Sequence, residues 1–320
     1  MRLCIPLFPR EKDRGEGEIL TIYHLGLIGY PLSHSLSPKI HTAALQSCEL
    51  QGDYSLFPIP PDDGQGLKDL LVRVRSGELQ GLNVTIPHKQ NVIPYLDELT
   101  LTAKSIGAVN TVYVRNNKLT GDNTDAEGFL SDLRRFLTTE THTCPPTQPR
   151  FGDYSGGRCQ GRHGELKALV LGAGGSARAV VYALLNDGWD IIIAARRLEQ
   201  AEQLATRFKQ YKLQITNYEL SNIELSNIAL IVNTTPLGMF PNIDQSPWPE
   251  NLPFPPHVAI YDLVYNPRET KLVRDACSQG RSAITGLGML IEQAALSFEI
   301  WTGYRPSRDV MFDALNQTTH

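Results

Sequence analysis

Between residues 166 and 289 short apolar runs alternate with helical stretches, and few folds accommodate that alternation. Ala168–Leu171 is apolar and opens into Gly172-Ala173-Gly174-Gly175-Ser176-Ala177, after which Arg178–Leu185 reads as a helix with Gly188 beyond its end. Asp190–Ala195, a short strand near Ile215, Ala229–Asn233, His257–Leu263 and Ser282–Ile284 carry the strand pattern onward. Helices are expected at Leu198–Tyr211 and Thr270–Ser278, and a long amphipathic one at Met289–Trp301. Such a series predicts a parallel sheet with crossover helices.

The glycine-rich turn gives that sheet a function. Glycines allow a tight turn and close backbone approach, so a pyrophosphate can rest on the helix N-terminus. A plain turn is the bland alternative, but a strand before and a helix after favour a dinucleotide. Sites that prefer NAD carry an acid about 20 residues further on, against the ribose 2′-hydroxyl. Here the next strand ends in Arg196 and Arg197 with no carboxylate. Two guanidiniums suit a 2′-phosphate and point to NADP(H), against the alternative that they merely solvate a helix start.

The first half is organised differently. Residues 1–24 read as an extension, and order is expected from the strand His24–Gly29. Pro38 fits the first position of a helix running to Gln46, with Ser37 as its N-cap. A strand at Tyr54–Ile59, a helix at Gly66–Val74 and a short buried strand at Asn83–Ile86 follow. Val109–Arg115 and Lys118–Gly121 flank Asn116-Asn117, which predicts a tight hairpin. Asp125 precedes a helix over Ala126–Phe136, and residues 138–164, rich in Thr, Pro, Gly and Arg, read as a surface insertion.

With 320 residues the prior is two domains. A net charge of −4 without a basic block argues against nucleic acid or an anionic membrane as partner. No apolar run is long enough to span a bilayer, and the N-terminal one is too interrupted for a signal peptide. The five scattered cysteines form no C-x-x-C pair, so reduced thiols in a cytoplasmic protein are expected and zinc is not.

Candidate polar groups lie mostly on loops. Pro87 stops a strand and presets a helix turn, which puts Lys89 near a helix N-terminus, where the macrodipole disfavours a cation by a few tenths of a kcal/mol. Lys89 is therefore either a tolerated surface lysine or a cation kept at a strand's C-terminal edge, where open α/β sheets place ligands. Ser35 and Ser37 flank one apolar residue and could meet one carboxylate, or one of them could be a helix cap. Asp125 could likewise be only a cap. Asn110 sits in an apolar strand and, if buried, must find partners. Gln293 could be a core amide or a ligand contact. His34, His41 and His88 lack metal spacing and read as satisfied or solvated groups, so no metal site is expected.

Eight stretches in order are similar to the shikimate/quinate dehydrogenase family. They are Gly29–Pro38, Asn83–Lys89, Gly107–Thr111, Gly121–Asp125, the turn at Gly172, Asn233–Pro236, Tyr261–Tyr265 and Gly286–Met289, together covering residues 25 to 315. The resemblance implies an α/β protein of two lobes separated by a deep cleft. One lobe, 25–125 plus 290–320, would be the substrate-binding catalytic domain, and 126–289 a Rossmann-type NADP-binding domain. It implies Lys89 and Asp125 as catalytic pair, Ser35 and Ser37 with Tyr265 on the substrate carboxylate, and Thr85, Asn110 and Gln293 on ring hydroxyls. For NADP(H) it implies Gly172, Ala173, Gly174, Gly175, Ser176 and Ala177 at the pyrophosphate and Arg196 at the 2′-phosphate. Thr234 would lie near the cofactor, with Gly286 and Met289 beside the nicotinamide.

The implied activity is the NADPH-dependent reduction of 3-dehydroshikimate to shikimate, for chorismate and aromatic amino acid biosynthesis, by a chain that could be a homodimer. One departure concerns Ala195, where the family often has a polar residue, commonly asparagine. Two rivals remain: a quinate/shikimate dehydrogenase of broader cofactor choice, which the arginines and serines oppose, and an idle NADP(H)-responsive regulator, which the retention of Lys89 and Asp125 opposes.

Overall fold

The computed structural model describes residues 4–6, 21–138, 166–220 and 223–316, so the 138–164 insertion falls almost entirely outside the described residues. The chain divides into two compact units, residues 1–124 with 291–320 and residues 125–290.

In the first unit β2 (Ile22–Gly29), α1 (Ser37–Ser47), β3 (Gln51–Pro58), α2 (Gly64–Arg75) and β4 (Gly81–Val84) make strand–helix units. After the one-turn α3 (His88–Asn91) come β5 (Glu98–Leu99), α4 (Leu101–Ile106), β6 (Thr111–Arg115) and β7 (Lys118–Asp122). The sheet order is β3-β2-β4-β6-β7-β5, with β2, β3 and β4 parallel and β6 antiparallel to both β4 and β7. Asn116 and Asn117, both at positive φ, turn the β6–β7 hairpin, as a two-residue loop between right-twisted strands requires. On α2 the residues Leu67, Leu70, Leu71 and Val74 are buried at helical spacing and pack with Ile28, Leu82, Val84 and Val112 of the sheet. Asp63 caps α2, accepting from the Gly66 N–H at 2.8 Å.

In the second unit α5 (Asp125–Thr138) leads, past undescribed residues, to β8 (Lys167–Leu171), α6 (Gly175–Asn186), β9 (Asp190–Ala194), α7 (Leu198–Arg207) and β10 (Leu213–Thr216). Then follow β11 (Ile228–Asn233), β12 (Ala259–Asp262), α8 (Lys271–Ser278) and β13 (Ser282–Thr285). All six strands are parallel in the order β10-β9-β8-β11-β12-β13, the doubly wound arrangement. Leu169, Leu171, Ile231 and Ile260 from the strands pack with Leu272, Val273 and Ala276 of α8. The last long helix, α9 (Leu287–Thr302), starts in the second unit and continues in the first, where β14 (Tyr304–Arg305) and α10 (Arg308–Asp313) close the described chain. No described helix is long and apolar enough to cross a membrane.

Three local expectations are corrected. Ser37 is the first residue of α1 and not its cap; the cap position is Leu36, with no side-chain bond. The helix carrying Lys89 is a single turn, so too few peptide dipoles align there for the macrodipole argument to have weight. The thiols are not all reduced: Cys4 and Cys48 are joined in a disulfide and Cys277 is also disulfide-bonded. The sequence hid the first bond because its ends lie 44 residues apart. Beside it, β1 (Ile5–Pro6), in the expected extension, pairs antiparallel with β14.

Candidate active site

In the first unit the candidate residues collect where the parallel strands β2 and β4 end. The loops leaving those strands meet there: the Tyr30 N–H donates to the Ile86 carbonyl at 2.8 Å and the Thr85 N–H to that of Ile28 at 2.9 Å. Thr85 stacks its methyl over Gly29, where a Cβ would come within 2.4 Å of Thr85 Cγ2. Ser35 is half-buried and its hydroxyl accepts from the Ser37 N–H at 3.3 Å, so the two serines form one local unit at the start of α1. Lys89 is buried at 9 % exposure, with its carbonyl accepting from the Val109 N–H at 2.7 Å. A lysine that dry is not solvating a surface, and the bland reading of it falls away.

Asn110 and Gln293 are brought together from 183 residues apart: Asn110 Nδ2 donates to Gln293 Oε1 at 3.2 Å. Asn110 is 2 % exposed and its Oδ1 accepts from the Thr124 N–H at 2.8 Å, which answers the demand that a buried amide be paired. Sequence reasoning missed the groups behind it. Asn83, Thr111, Thr124 and Ser297 are all buried and bonded among themselves; the only signal was that Asn83, Thr111 and Ser297 are polar residues in largely apolar segments. His41 is also reassigned. It is fully buried, stacked on Tyr54 at 4.3 Å with neither ring nitrogen bonded, and burial lowers its pKa to about 3, the nearby Asn83 amide opposing only in part. It is a neutral aromatic plate in the core.

The second unit holds the remaining candidates. Asp125, the first residue of α5, is 4 % exposed. The ends of β8 and β11 lie side by side, the point where a doubly wound sheet reverses its strand order and opens to ligands. Gly172 leaves β8 at φ +111°, and a Cβ there would stand 2.6 Å from Thr234 Oγ1. Thr234 is fixed in turn, donating to the Leu171 carbonyl from both its N–H, at 2.9 Å, and its hydroxyl, at 2.7 Å. Gly174 is extended, with open space where a Cβ would stand, and Gly175, Ser176 and Ala177 begin α6 without a side-chain cap. Their N–H groups point out of the helix end, and a cap-free, open N-terminus of this kind fits a phosphate. The Gly172 N–H donates to Ala194 at 2.8 Å, setting the end of β9 beside this turn, with Arg196 and Arg197 exposed just beyond. Arg196 is close enough to Tyr218 to oppose the burial that pushes that phenol up to about 12.

Gly286 is pressed on the end of β12, where a Cβ would come within 2.5 Å of the Leu263 carbonyl, and Met289 is buried in the next turn. Gly288 leaves no room either: a Cβ would overlap the Asp132 carboxylate, which accepts from Tyr261 Oη at 2.5 Å and from Arg135. Asp132 and Tyr261 are 129 residues apart, so nothing in the sequence linked them to this turn. Tyr265, expected beside the serines, belongs to this second unit; burial raises its phenol above the ordinary value.

Comparison with known proteins agrees across the chain. The family described as "Shikimate dehydrogenase substrate binding domain" matches residues 27–112, "Shikimate / quinate 5-dehydrogenase" 158–237, and "Shikimate 5'-dehydrogenase C-terminal domain" 286–315. The NADP-dependent shikimate dehydrogenase of Salinibacter ruber is 39% identical over 296 residues, 90% of this chain and 95% of that protein. The crystal structure of shikimate 5-dehydrogenase from Thermus thermophilus with NADP(H) and shikimate is similar at a TM-score of 0.74 and 35% identity, covering 92% and 98% of the two chains. A quinate dehydrogenase from Corynebacterium glutamicum in complex with NAD reaches a TM-score of 0.76 at 28% identity, covering 92% and 99%.

Proposed function

Because the chain belongs to the shikimate dehydrogenase family, we propose that it catalyses the reversible reduction of 3-dehydroshikimate to shikimate with NADPH, within chorismate and aromatic amino acid biosynthesis. The observation that carries this reading is Lys89, buried just beyond the C-terminal end of the parallel strand β4, the edge where open α/β sheets place ligands. When bound, the reduced nicotinamide supplies hydride to the ketone carbon. The carbonyl electrons then move onto oxygen, where Lys89 stabilises the charge and relays a proton. Asp125 is the second member of the catalytic pair, the carboxylate that orients the substrate hydroxyl. Ser35 and Ser37, helped by Tyr265, hold the carboxylate of the substrate, while Thr85, Asn110 and Gln293 hold its ring hydroxyls.

For NADP(H) the residues present fit the group. The Gly172 turn and the first N–H groups of α6 take the pyrophosphate, with Ala173 and Ser176 in the same cradle. Arg196 and Arg197 pair with the 2′-phosphate, Thr234 braces the turn, and Gly286 and Met289 border the nicotinamide. The same reading places the enzyme in the cytoplasm, where disulfides are rare. The Cys4–Cys48 bond is the observation that stands against that compartment, and thiol counting on protein isolated under alkylating conditions decides it.

The test of the activity is spectrophotometric, with shikimate and quinate each paired with NADP and NAD. Shikimate with NADP should be the fastest pair. Comparable rates with quinate and NAD would place the chain with the broader enzymes, and no shikimate-dependent NADP reduction by folded protein would overturn the reading.

A further inference from the structure

Ser297 lies one helical turn after Gln293 on α9 and is completely buried. A helical serine that returns its hydroxyl to the carbonyl four residues back is ordinary, and Ser297 Oγ does stand 3.0 Å from the Gln293 carbonyl. Three further side chains converge on the same oxygen, which is not ordinary. Asn83 Nδ2 donates to it at 3.0 Å, and the hydroxyls of Thr111 and Thr124 lie 2.7 Å and 3.1 Å away. Asn83 and Thr111 are directly opposite each other on β4 and β6, so both side chains leave the same face of the sheet.

One set of donors and acceptors uses each hydroxyl proton once. Tyr54 Oη donates to Asn83 Oδ1 at 2.8 Å, which fixes the Asn83 amide with its Nδ2 toward Ser297. Ser297 passes its own proton to Thr111, and Thr111 donates to Asn110 Oδ1 at 2.9 Å. Asn110 Nδ2 donates to Thr124 Oγ1 at 2.9 Å and to Gln293 Oε1, while Thr124 Oγ1 donates to the Gln293 carbonyl at 3.0 Å. The chain of bonds thus decides which end of each carboxamide is donor and which acceptor. A ligand with fixed hydroxyls reads that polarity, because a reversed amide sets donor against donor.

We propose that Ser297 is a positioning residue for substrate recognition: its hydroxyl is the junction through which Asn83 and Thr111 hold the Asn110 carboxamide, and through it that of Gln293, in one orientation. This rests on the reading that Asn110 and Gln293 contact the substrate's ring hydroxyls. Without the junction Asn83 loses an acceptor and Thr111 a donor, Thr111 is no longer held toward Asn110 Oδ1, and that oxygen keeps only its bond from the Thr124 N–H, so both carboxamides are held less firmly. The effect falls on substrate binding; the cofactor's residues lie in another part of the chain.

The experiment compares Ser297→Ala, Ser297→Thr, Thr111→Val, Asn110→Ala and Gln293→Ala by steady-state kinetics and thermal unfolding. Alanine is a good helix former, so Ser297→Ala is expected to fold. It should raise KM for shikimate about three- to tenfold, the range for one lost neutral hydrogen bond. KM for NADP should stay within about twofold by the same scale. Ser297→Thr, which keeps the hydroxyl, should recover most of the loss, and Thr111→Val should reproduce it through the other arm. In a Gln293→Ala background the effect of Ser297→Ala should shrink, as expected of groups acting in series. A loss of stability with unchanged KM would make Ser297 a core residue only and overturn the proposal. If Asn110→Ala and Gln293→Ala themselves leave KM unchanged, the underlying reading fails and the proposal with it; if they raise KM and Ser297→Ala does not, only the proposal fails.

Discussion

Replacing Gly172 by alanine puts a methyl group where neither the backbone nor the neighbouring strand end leaves room. At φ +111° an L-residue is strained by about 1–3 kcal/mol. The new Cβ would also stand 2.6 Å from Thr234 Oγ1, and Thr234 cannot turn aside without giving up its 2.7 Å bond to the Leu171 carbonyl, about 1 kcal/mol more. The sum, roughly 2–4 kcal/mol, divides between folding and cofactor binding. The folding share lowers Tm by roughly 2–4 °C per kcal/mol for a unit of this size. To relax, the turn must move away from β11, carrying the N–H groups at the start of α6 with it. Losing one charge-assisted bond to phosphate weakens NADPH binding roughly ten- to a hundredfold. Fluorescence titration with NADPH measures the second share and thermal unfolding the first, while shikimate affinity, measured without cofactor, should not move. A variant with wild-type NADPH affinity and unchanged Tm would refute the argument, because neither the positive φ nor the contact with Thr234 would then constrain the turn.

Other predictions come from the remaining groups. Lys89→Ala should lower kcat by about 10²–10³ with little change in KM, since a donor to a developing oxyanion acts mainly in the transition state. A large rise in KM with a modest fall in kcat would instead make Lys89 a binding residue. Arg196→Ala combined with Arg197→Ala should raise KM for NADP about ten- to a hundredfold while changing that for NAD little, because only the former carries the 2′-phosphate. Equal losses with both cofactors would refute the pairing. Asp262, buried at the end of β12, has its pKa raised by desolvation to about 6, against the hydrogen bonds it accepts from Thr270, Val264 and Asn233. Between its unfolded value of 3.8 and about 6 the folded state holds a proton that the unfolded chain has released, so this group's contribution to stability is largest at low pH and falls by roughly 3 kcal/mol as pH rises through that window. Asp262→Asn keeps the shape and lets Thr270 accept, so urea midpoints measured across that window should lose this slope; an unchanged slope would refute the assignment.

What could be seen in the sequence was whatever depends on neighbours in the chain. Glycine and asparagine need particular dihedrals whatever surrounds them, so the Gly172 turn and the Asn116-Asn117 hairpin were legible and stand where expected. Apolar runs broken by helical stretches fixed the strand sequence of the second unit for the same reason. The misplaced cap on α1 shows where this logic stops. Ser35 and Ser37 are equivalent candidates by composition, and only the path of the loop after β2 puts the hydroxyl of Ser35, rather than that of Ser37, against a backbone N–H.

The buried groups behind Asn110 and Gln293, assembled across the fold, were not legible. Asn83 and Ser297 are 214 residues apart, and Ser297 by itself reads as any serine on a long helix. It becomes a junction only because β4 and β6 pair with Asn83 opposite Thr111, and because the helix that carries Gln293 brings Ser297 onto the same face one turn later. A slip of one residue in that strand register would turn Asn83 and Thr111 to opposite faces and dissolve the set. The polar network is therefore a consequence of register, and register is set by the apolar residues around it. Leu82 and Val112, paired next along the same ladder and both fully buried, hold the strands in the alignment on which the orientation of Asn110 and Gln293 depends.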